Sequence, residues 1–576
     1  MSPSWWRTGA IYQVYPRSFQ DSDGDGIGDL EGVRRRLDYL IWLGIDAVWI
    51  SPFYRSPMHD FGYDVADYCA IDPIFGTLET FDRLVEDAHT RRLKIILDFI
   101  PNHSSIAHPW FVASRSSRAN PTRHWYVWRD GKPGDGPPNN WRSHFGGSAW
   151  EFDNARGQYY YHAYLAEQPD LNWRNPDVRA AMYDVMRFWL RRGADGFRVD
   201  VIWHLIKDAA FRDNPLNPAW TAKDPEIDRL LPLYSADQPE VYDVIEEMRA
   251  VIDEFEDRVL IGEIYLPLER LVAYYGKDLK GVHLPFNFQL LSCQWTAPSI
   301  AKLIESYEAA LPEGGWPNWV LSNHDRPRIA ARVGEAQARV AAMLLLTLRG
   351  TPTLYYGDEL GIGHVEIPPE RVQDPWALRE PGINIGRDPS RTPMQWDATP
   401  FAGFSASEPW LPVTEDFVAR NVAVMREDKT SILNLVRGLL HLRRAHKSLS
   451  CGAWRLLSAT GEVLAYERRA GEDRIITVLN FSGRLLEWMA PSPLKGRIAL
   501  STDGDRREPP RRAGERPPPT GTTHNVHPFR GYPFLGASEL RSSWNRGEPR
   551  LGPPAPLFFD PSVLAGGWMR EPPTDG

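Results

Sequence analysis

The stretch NPDVRAAMYDVMRFWLRRGADGFRVDV, residues 175–201, contains one complete helix-to-strand unit. Asn175 can cap a helix, Pro176 fits the first helical position, and Gly193 can end the helix. A short apolar run follows at residues 196–201 and contains an aspartate near its end. Such a run indicates a strand that is buried on both faces of a parallel sheet. The apolar residues of the helical part recur at the spacing of one helical face: Val178, Met182, Val185, Met186 and Trp189.

Seven further apolar runs of this kind occur along the chain, with helical patterns between them. They lie at residues 10–14, 47–51, 94–99, 259–263, 281–286, 319–322 and 353–356. Eight strands that alternate with helical segments predict a closed (β/α)8 TIM barrel of the α/β class.

The barrel pattern is interrupted once and is then followed by other patterns. Residues 104–173 are irregular and rich in Asn, Pro, Gly and aromatic residues, which predicts an inserted domain after the third strand. The barrel is therefore assigned to residues 1–103 and 174–450. Alternating apolar and polar residues predict a C-terminal antiparallel β domain at 451–506. The Pro-, Arg- and Gly-rich tail at 507–576 is predicted to be irregular.

The composition argues against several classes of function. The chain has 66 Lys and Arg against 75 Asp and Glu, a net charge of −9, which offers no basic surface to nucleic acid or anionic membrane. Its three cysteines are far apart, which argues against disulfides and a thiolate zinc site. We find neither a signal-like N-terminal segment nor an apolar run long enough for a membrane span. We therefore expect a cytoplasmic monomer or homodimer without an organic cofactor.

Charged and polar residues stand at the ends of the third, fourth, fifth and seventh apolar runs. The active site of a parallel barrel lies at this edge, so these side chains should converge. A single aspartate at a strand end is more often a helix cap or a surface charge. So many ionisable groups on one rim instead indicate a catalytic site. The residues are Asp98, Asn102, His103, Arg198, Asp200, Glu263, His324 and Asp325.

Two of these carboxyl groups have environments that should push their pKa values apart. Arg198 and Asp200 are two residues apart on a strand and point to the same face, so the guanidinium should keep Asp200 ionised, as a nucleophile requires. Glu263 follows the apolar run VLIG, where loss of water should raise its pKa and retain a proton, as a general acid requires. Such a pair predicts glycoside cleavage.

Seven motifs give the chain a specific resemblance to a known family. They are DFIPNH (98–103), QPDLN (168–172), GFRVD (196–200), GEI (262–264), SNHD (322–325), TPTLYYGDELG (351–361) and GRDPSRTPMQW (386–396). Through them, residues 5–502 resemble the α-amylase superfamily of glycoside hydrolases (family 13), in its α-glucosidase and oligo-1,6-glucosidase branch. The resemblance implies that Asp200 is the nucleophile, Glu263 the acid/base, and Asp325 a third carboxylate that grips sugar hydroxyls and favours the distorted transition state.

The resemblance also implies a pocket for one terminal glucose, and hence attack from the non-reducing end. Ordinary core packing explains Phe145 and Tyr164 as well as a role in the pocket wall does. Arg387 is the arginine expected to pair with Asp60, and Arg391 is the competing choice. The positions implied for the pocket are Asp60, Tyr63, His103, Phe145, Tyr164, Arg198, His324 and Arg387.

The segment DSDGDGIGD, residues 21–29, resembles the first part of a calcium loop, with carboxylates at alternate positions and a glycine at the sixth. Gly32 stands where an EF-hand needs its glutamate, so a full EF-hand is excluded. Four close carboxylates repel one another without a cation, which favours a metal over a solvated acidic turn. The family resemblance implies a structural Ca²⁺ or Mg²⁺ at Asp21, Asp23, Asp25, the Ile27 carbonyl and Asp29.

Together these features predict a retaining, exo-acting α-glucosidase that acts on short α-glucosides. The alternative on the same scaffold is glucosyl transfer or isomerisation, as in trehalose synthase. The segment RPRI at 326–329 lacks the RLDRD-type run of sucrose isomerases, and the catalytically dead barrels of amino-acid transporters lack the triad. In the resembled branch, a valine directly after the nucleophile goes with α-1,6 preference and an alanine with α-1,4 preference, so Val201 implies a slight preference for α-1,6 bonds.

Overall fold

The centre of the protein is a barrel of eight parallel strands. The structure is a computed structural model and describes residues 4–134, 136–383, 385–490, 496–502, 523–526 and 531–536. The predicted TIM barrel is confirmed, and every strand overlaps its predicted run. The strands are β1 (Ile11–Val14), β2 (Ala47–Ile50), β3 (Lys94–Phe99), β4 (Gly196–Val199), β5 (Val259–Ile264), β6 (Leu284–Asn287), β7 (Asn318–Val320) and β8 (Thr351–Tyr355).

The strands follow one another around the barrel in the order β6, β5, β4, β3, β2, β1, β8, β7, and β6 lies beside β7. In the parallel register, Asp98 of β3 is level with Arg198 of β4, and Glu263 of β5 is level with Phe286 of β6. The carboxyl ends of the strands therefore bring polar residues from distant parts of the sequence to one rim.

Helices cover the outside of the barrel, and Pro176–Arg191 shows how the sequence specifies them. The Asn175 side chain accepts a hydrogen bond from the Asp177 amide, and the predicted apolar face is buried. Among the described residues, no helix combines the length and apolar character that crossing a bilayer requires. The α-helices are Trp5–Thr8, Leu30–Arg35, Leu37–Leu43, Leu78–Thr90, Pro109–Ser116, Pro176–Arg191, Val241–Asp253, Leu268–Ala273, Gln289–Ser292, Ala297–Ala310, Ile329–Val333, Glu335–Thr347, Pro375–Arg379, Val422–Glu427, Ile432–Ala445 and Lys447–Cys451.

The segment between β3 and Pro176–Arg191, where residues 104–173 are predicted to form an inserted domain, contains its own helix and sheet. It contains the helix Pro109–Ser116 and a three-stranded antiparallel sheet of Trp128–Arg129, Gln158–Tyr161 and Trp150–Asp153. A second short antiparallel pair, Tyr54–Arg55 with Asp67–Ile71, follows β2. Both excursions leave the carboxyl ends of barrel strands, so they can form the walls of a site there.

A C-terminal antiparallel domain follows the last helix. Its sheet starts with Ala453–Thr460, Val463–Ala470 and Asp473–Asn480. The prediction of an irregular tail at 507–576 is wrong for two segments. Gly531–Gly536 pairs with Asp473–Asn480 and with Gly496–Ile498, and Thr523–Val526 pairs with Leu486–Met489. The Pro-rich composition gives no indication of the strand Gly531–Gly536, which covers the otherwise open edge of Asp473–Asn480. The rest of that prediction lies outside the described residues.

Candidate active site

One buried guanidinium holds three carboxyl groups at the rim. Arg198 donates through Nη1 to Asp98 Oδ1 at 2.7 Å and to Asp200 Oδ1 at 2.8 Å, and its Nη2 lies 2.7 Å from Glu263 Oε1. Arg198 is 0 % exposed and Glu263 is 2 % exposed, so water screens these contacts little. The register of β3, β4 and β5 thus converts four separate motif residues into one charge cluster.

The pKa values in this cluster depart from the expectation for Asp200. Burial, aided by the charges of Glu263 and Asp98, raises the pKa of Asp200 well above its usual range, although Arg198 opposes this. Burial also raises the pKa of Asp98 to about 6 and raises that of Glu263. Arg198 acts on Asp200 in the expected direction by opposing this rise, but three carboxyl groups share its one positive charge and burial outweighs it. The cluster as a whole therefore favours retaining a proton near neutral pH, and with that proton on Glu263 the charge of Arg198 is left to Asp200 and Asp98.

The residue after Asp200 has a strained backbone that positions Glu263. Val201 has φ 37° and ψ 45°, a left-handed conformation that is unfavourable for a β-branched residue. In this conformation its amide donates to Glu263 Oε2 at 2.9 Å. The backbone amide next to Asp200 thereby fixes the position of the Glu263 carboxyl group.

A second ion-pair cluster closes the far side of the rim. Arg387 Nη2 donates to Asp60 Oδ1 at 2.8 Å and to Asp374 Oδ1 at 2.7 Å, and its Nη1 donates to Asp325 Oδ1 at 3.3 Å. Arg391 instead donates to Asp325 Oδ1 at 3.0 Å. Arg387 is therefore the arginine that pairs with Asp60, while both arginines contact Asp325.

The charges around Asp325 keep it ionised. Burial alone would raise its pKa, but the adjacent His324 ring, whose Nε2 lies 3.1 Å from Asp325 Oδ2, and the charges of Arg387 and Arg391 outweigh that effect and lower it well below the usual range. Asp325 thus differs from Asp200 and Glu263, whose pKa values are raised. A permanently charged carboxylate is suited to accept hydrogen bonds from sugar hydroxyls.

The histidines are neutral donors and acceptors with fixed orientations. Tyr63 stacks on His324 with ring centres 5.4 Å apart, and its hydroxyl lies 2.6 Å from His324 Nε2 and donates to Asp98 Oδ2 at 3.1 Å. Burial lowers the pKa of His324 to about 3 and that of His103 to about 4. Both rings can therefore bind hydroxyl groups without adding charge to the site.

The inserted domain supplies an aromatic wall and an amide. The Phe145 ring lies 5.7 Å from the ring of Tyr164, and the Arg387 guanidinium lies 4.9 Å from the Phe145 ring centre. Burial, and after it the charges of Asp200 and other rim carboxylates, raises the pKa of Tyr164, and its ring lies 5.2 Å from the ring of His103. Gln168 of the QPDLN motif donates to Asp60 Oδ2 at 3.3 Å. Phe145 and Tyr164 thus adjoin the rim.

A buried lysine joins the inserted domain to the barrel. Lys207 Nζ lies 2.5 Å from Asp170 Oδ2 and donates to Asn102 Oδ1 at 2.8 Å. The Asn102 amide nitrogen donates to Asp170 at 2.9 Å and lies 3.1 Å from His103 Nδ1. Lys207 therefore holds the segment that orients His103. Neither Lys207 nor Asp374 was predicted, because each lies in an irregular segment away from the strand-end motifs.

The acidic loop near the N-terminus brings together three of its four predicted aspartates. Asp21, Asp23 and Asp29 each offer an oxygen within 4.8 Å of the others, while Asp25 is not in this group. Asp25 instead accepts a hydrogen bond from the Ile27 amide at 2.8 Å. Burial raises the pKa of Asp29, whereas for Asp21 burial is outweighed by hydrogen bonds from Ser405 and from backbone amides, which lower its pKa. The donor set suits a hard divalent cation, but Asp25 departs from the predicted ligand set.

Comparison with known proteins agrees with this geometry. The family profile described as "Alpha amylase, catalytic domain" matches residues 13–452 of the 576. The chain belongs to the α-amylase family. The family predicted from the seven motifs is confirmed.

This α-amylase family chain is similar to proteins named as glucosidases over most of its length. It is 42% identical over 494 residues to a probable alpha-glucosidase of Rhizobium meliloti (strain 1021), covering 83% of this chain and 89% of that protein. It is 37% identical over 520 residues to an oligo-1,6-glucosidase of Parageobacillus thermoglucosidasius, covering 84% and 91%. The crystal structure of an alpha-glucosyl transfer enzyme, XgtA, matches with a TM-score of 0.86 at 38% identity, covering 93% of this chain and 100% of that one.

Proposed function

We propose that this member of the α-amylase family is a retaining, exo-acting α-glucosidase that hydrolyses terminal α-linked glucose from short oligosaccharides. The observation that carries the proposal is the shared contact of Asp200 and Glu263 with Arg198. Nη1 of Arg198 lies 2.8 Å from Asp200 Oδ1 and its Nη2 lies 2.7 Å from Glu263 Oε1, so one guanidinium holds both carboxyl groups. This proximity supports a retaining pair, whose carboxyl groups lie roughly 5 to 5.5 Å apart, since an inverting pair must leave room for water.

The cluster supplies both groups that this reaction needs. Asp200 attacks the anomeric carbon while Glu263 gives its proton to the leaving oxygen, which forms a glucosyl ester on Asp200. Glu263, now a carboxylate, then takes a proton from water as the water oxygen bonds to the same carbon and releases Asp200. Arg198 stabilises the charge on Asp200 between the two steps.

The far side of the site supports exo action. Asp60, Asp374 and Arg387 form a buried ion-pair cluster beside Phe145. This cluster would close the site behind the terminal glucose, so that a longer sugar chain could not extend past it. Asp60 and Asp325 would bind hydroxyl groups of that sugar. A closed end of this kind favours release of one terminal glucose at a time.

Glucosyl transfer is the second function that this geometry supports. A sugar hydroxyl can replace water in the second step without any change in the catalytic groups. The similarity to an alpha-glucosyl transfer enzyme favours keeping this alternative, and isomerisation of the trehalose synthase type is a special case of it. The relatives named as alpha-glucosidase and oligo-1,6-glucosidase favour hydrolysis.

A proton NMR time course tests the proposal directly. The purified protein is incubated separately with isomaltose, maltose, sucrose and trehalose, and the anomeric signals are followed from the first minutes. Early α-glucose is the expected result, and faster release from isomaltose than from maltose would support the linkage preference inferred from Val201. Early β-glucose would contradict the retaining mechanism. A new disaccharide with little free glucose would instead assign transfer or isomerisation.

We further propose a structural Ca²⁺ or Mg²⁺ at the acidic loop. Asp21, Asp23 and Asp29 would hold the cation, together with the Ile27 carbonyl, the backbone ligand that the family resemblance implies. Asp29 also caps the helix Leu30–Arg35, so the cation would tie this helix to the loop after β1. The cation would stabilise the fold and take no part in the reaction.

Removing a divalent cation is expected to lower the melting temperature of the protein. A ligand present at about 100 times its dissociation constant stabilises the folded state by about 2.7 kcal/mol. The melting temperature is measured with Ca²⁺, with Mg²⁺ and with a chelator. Asp23→Asn should abolish the difference, whereas Asp25→Asn, outside the cluster, should retain it. Identical melting temperatures in all three conditions would refute the metal.

A cytoplasmic location is also proposed for the protein. Cys69, Cys293 and Cys451 are all free cysteines in the structure. Free thiols are typical of a reducing compartment.

A further inference from the structure

The leaving-group side of the site is lined by a different set of side chains from the glucose pocket. Glu263 protonates the leaving oxygen in the proposed function, so the leaving group or acceptor must lie on the side of Glu263 away from Asp60. Tyr265 follows Glu263 by two residues, and Arg326 directly follows Asp325. These two residues stand where a leaving group would pass.

Three side chains form a layered stack at this position. Tyr265 stacks on Phe288 with ring centres 4.2 Å apart and planes 8° apart. The Arg326 guanidinium lies over the Tyr265 ring, 5.1 Å from its centre. Phe288 is 5 % exposed, Tyr265 is partly exposed and Arg326 is exposed, so the guanidinium is the outermost layer.

The charge of Arg326 also acts on groups in the other walls of the opening. Burial, and after it the charge of Arg326, lowers the pKa of His144, whose ring stacks on Tyr164 of the inserted domain with ring centres 4.8 Å apart. Its charge opposes the burial that raises the pKa of Asp228, a residue of the long loop after β4. A ligand at this opening therefore meets Arg326 from one side and the inserted domain and the loop from the other.

The chemistry of the outermost layer decides which ligand fits. A guanidinium is planar and weakly hydrated, and it stacks on the face of an aromatic ring. A saturated sugar ring stacks on aromatic faces instead, but Phe288 and Arg326 already contact the Tyr265 ring. The exposed surface thus suits a flat aromatic group better than a second sugar ring.

We propose that Arg326 makes the leaving-group side selective for aromatic alcohols, so that the protein transfers glucose to an arylmethanol or phenol in preference to a saturated alcohol of the same size. The inference rests on the proposed glucosyl-enzyme. In the transfer step, the acceptor oxygen bonds to the anomeric carbon, the bond from that carbon to Asp200 breaks, and Glu263 takes the hydroxyl proton.

A competition between two acceptors of matched size tests this inference. Benzyl alcohol and cyclohexylmethanol carry the same hydroxymethyl nucleophile, one on a flat ring and one on a puckered ring. Both are added together with the disaccharide that the protein cleaves fastest, and the two glucosides are quantified by chromatography. Because the acceptors compete for one intermediate, the product ratio is independent of how fast that intermediate forms.

The wild-type protein should favour benzyl alcohol by about fivefold or more, because this is the size of preference expected when an aromatic ring stacks on a guanidinium that is partly shielded from water. Arg326→Gln should bring the ratio close to one, because it removes the cation, and Arg326→Lys should reduce the ratio only in part, because an ammonium is attracted to an aromatic face but offers no flat surface for stacking. Tyr265→Phe should keep the preference. Arg192→Gln is the matched control, since Arg192 lies 5.1 Å from the Phe188 ring on the outside of the barrel.

The possible failures are distinguishable. A wild-type ratio near one, or an Arg326→Gln ratio equal to that of the wild type, would overturn this inference while leaving disaccharide cleavage intact. A wild-type protein that cleaves none of the disaccharides would overturn the proposed function and this inference with it.

Discussion

Replacing Asp200 with asparagine should lower kcat for α-glucoside hydrolysis by about 10⁴-fold, or about 5.5 kcal/mol of transition-state stabilisation. The amide has nearly the shape of the carboxyl group but is a very poor nucleophile, so the glucosyl ester cannot form. Arg198 keeps Asp98 and Glu263 as partners, and the fold should survive the change. The measurement is kcat on the fastest disaccharide, with circular dichroism to verify the fold.

Asp208→Asn provides the matched control for this loss. Asp208 is a buried aspartate at 7 % exposure in the segment after the same strand, but it pairs with Arg212 at 3.0 Å rather than with the Arg198 cluster. The control variant should retain kcat within about threefold, which is the effect expected of a carboxyl group outside the reaction. Retention of more than about 1% of wild-type kcat by Asp200→Asn would show that another group is the nucleophile.

Replacing Arg198 with methionine should destabilise the protein by about 3 to 5 kcal/mol at pH 7, because it leaves three buried carboxyl groups without their shared counter-charge. Thermal unfolding of the variant and of the wild type measures the loss. Activity should also disappear, since Asp200 loses the cation that stabilises its charged form. Adding Asp98→Asn to the variant should recover part of the stability by removing one unpaired carboxyl group.

The pH dependence distinguishes this explanation from simple loss of packing. A carboxyl group whose folded-state pKa is raised, such as Asp98 from 3.8 to about 6, binds its proton more tightly in the folded state. The folded state therefore gains stability relative to the unfolded state as the pH falls through about 6. Without Arg198 the carboxyl pKa values rise further, so the stability deficit of Arg198→Met should shrink as the pH falls from 7 to about 5.

A second buried arginine offers the control for that pH dependence. Arg443 is 2 % exposed and donates only to backbone carbonyl groups, those of Leu346, Leu348 and Gly350. Arg443→Met should also destabilise the protein, but no unpaired carboxylate remains to be protonated. The loss of folding stability in Arg443→Met should stay constant between pH 7 and 5. If the Arg198→Met deficit were equally constant, the charge-sharing explanation would be wrong.

The sequence was most informative where chemistry follows a strand. Asp98, Asp200, Glu263 and Asp325 stand at the ends of short apolar runs, and parallel strands place such positions on one rim whatever the intervening loops do. The barrel could be predicted for the same reason, because each strand is buried on both faces and therefore apolar throughout.

The partners of these residues could not be predicted, because they come from irregular segments whose path depends on the whole fold. Arg387 and Arg391 are four residues apart in one loop, and only the structure shows that Arg387 contacts Asp60. Asp374 gave no signal at all, since it follows no strand. The raised pKa of Asp200 could not be predicted from sequence spacing either. Spacing identifies Arg198 as a neighbouring charge, but it does not show that Asp98 and Glu263 share that charge.

The ammonium group of Lys207 has a consequence for how the inserted domain stays in place. A metal ion that joins two segments is in exchange with the medium, and its occupancy falls when the medium is diluted or contains a chelator. Lys207 is attached to the chain, so its effective concentration beside Asp170 and Asn102 is set by the fold alone. The wall of the proposed glucose pocket therefore keeps its cation under conditions that would empty the metal site proposed for the acidic loop.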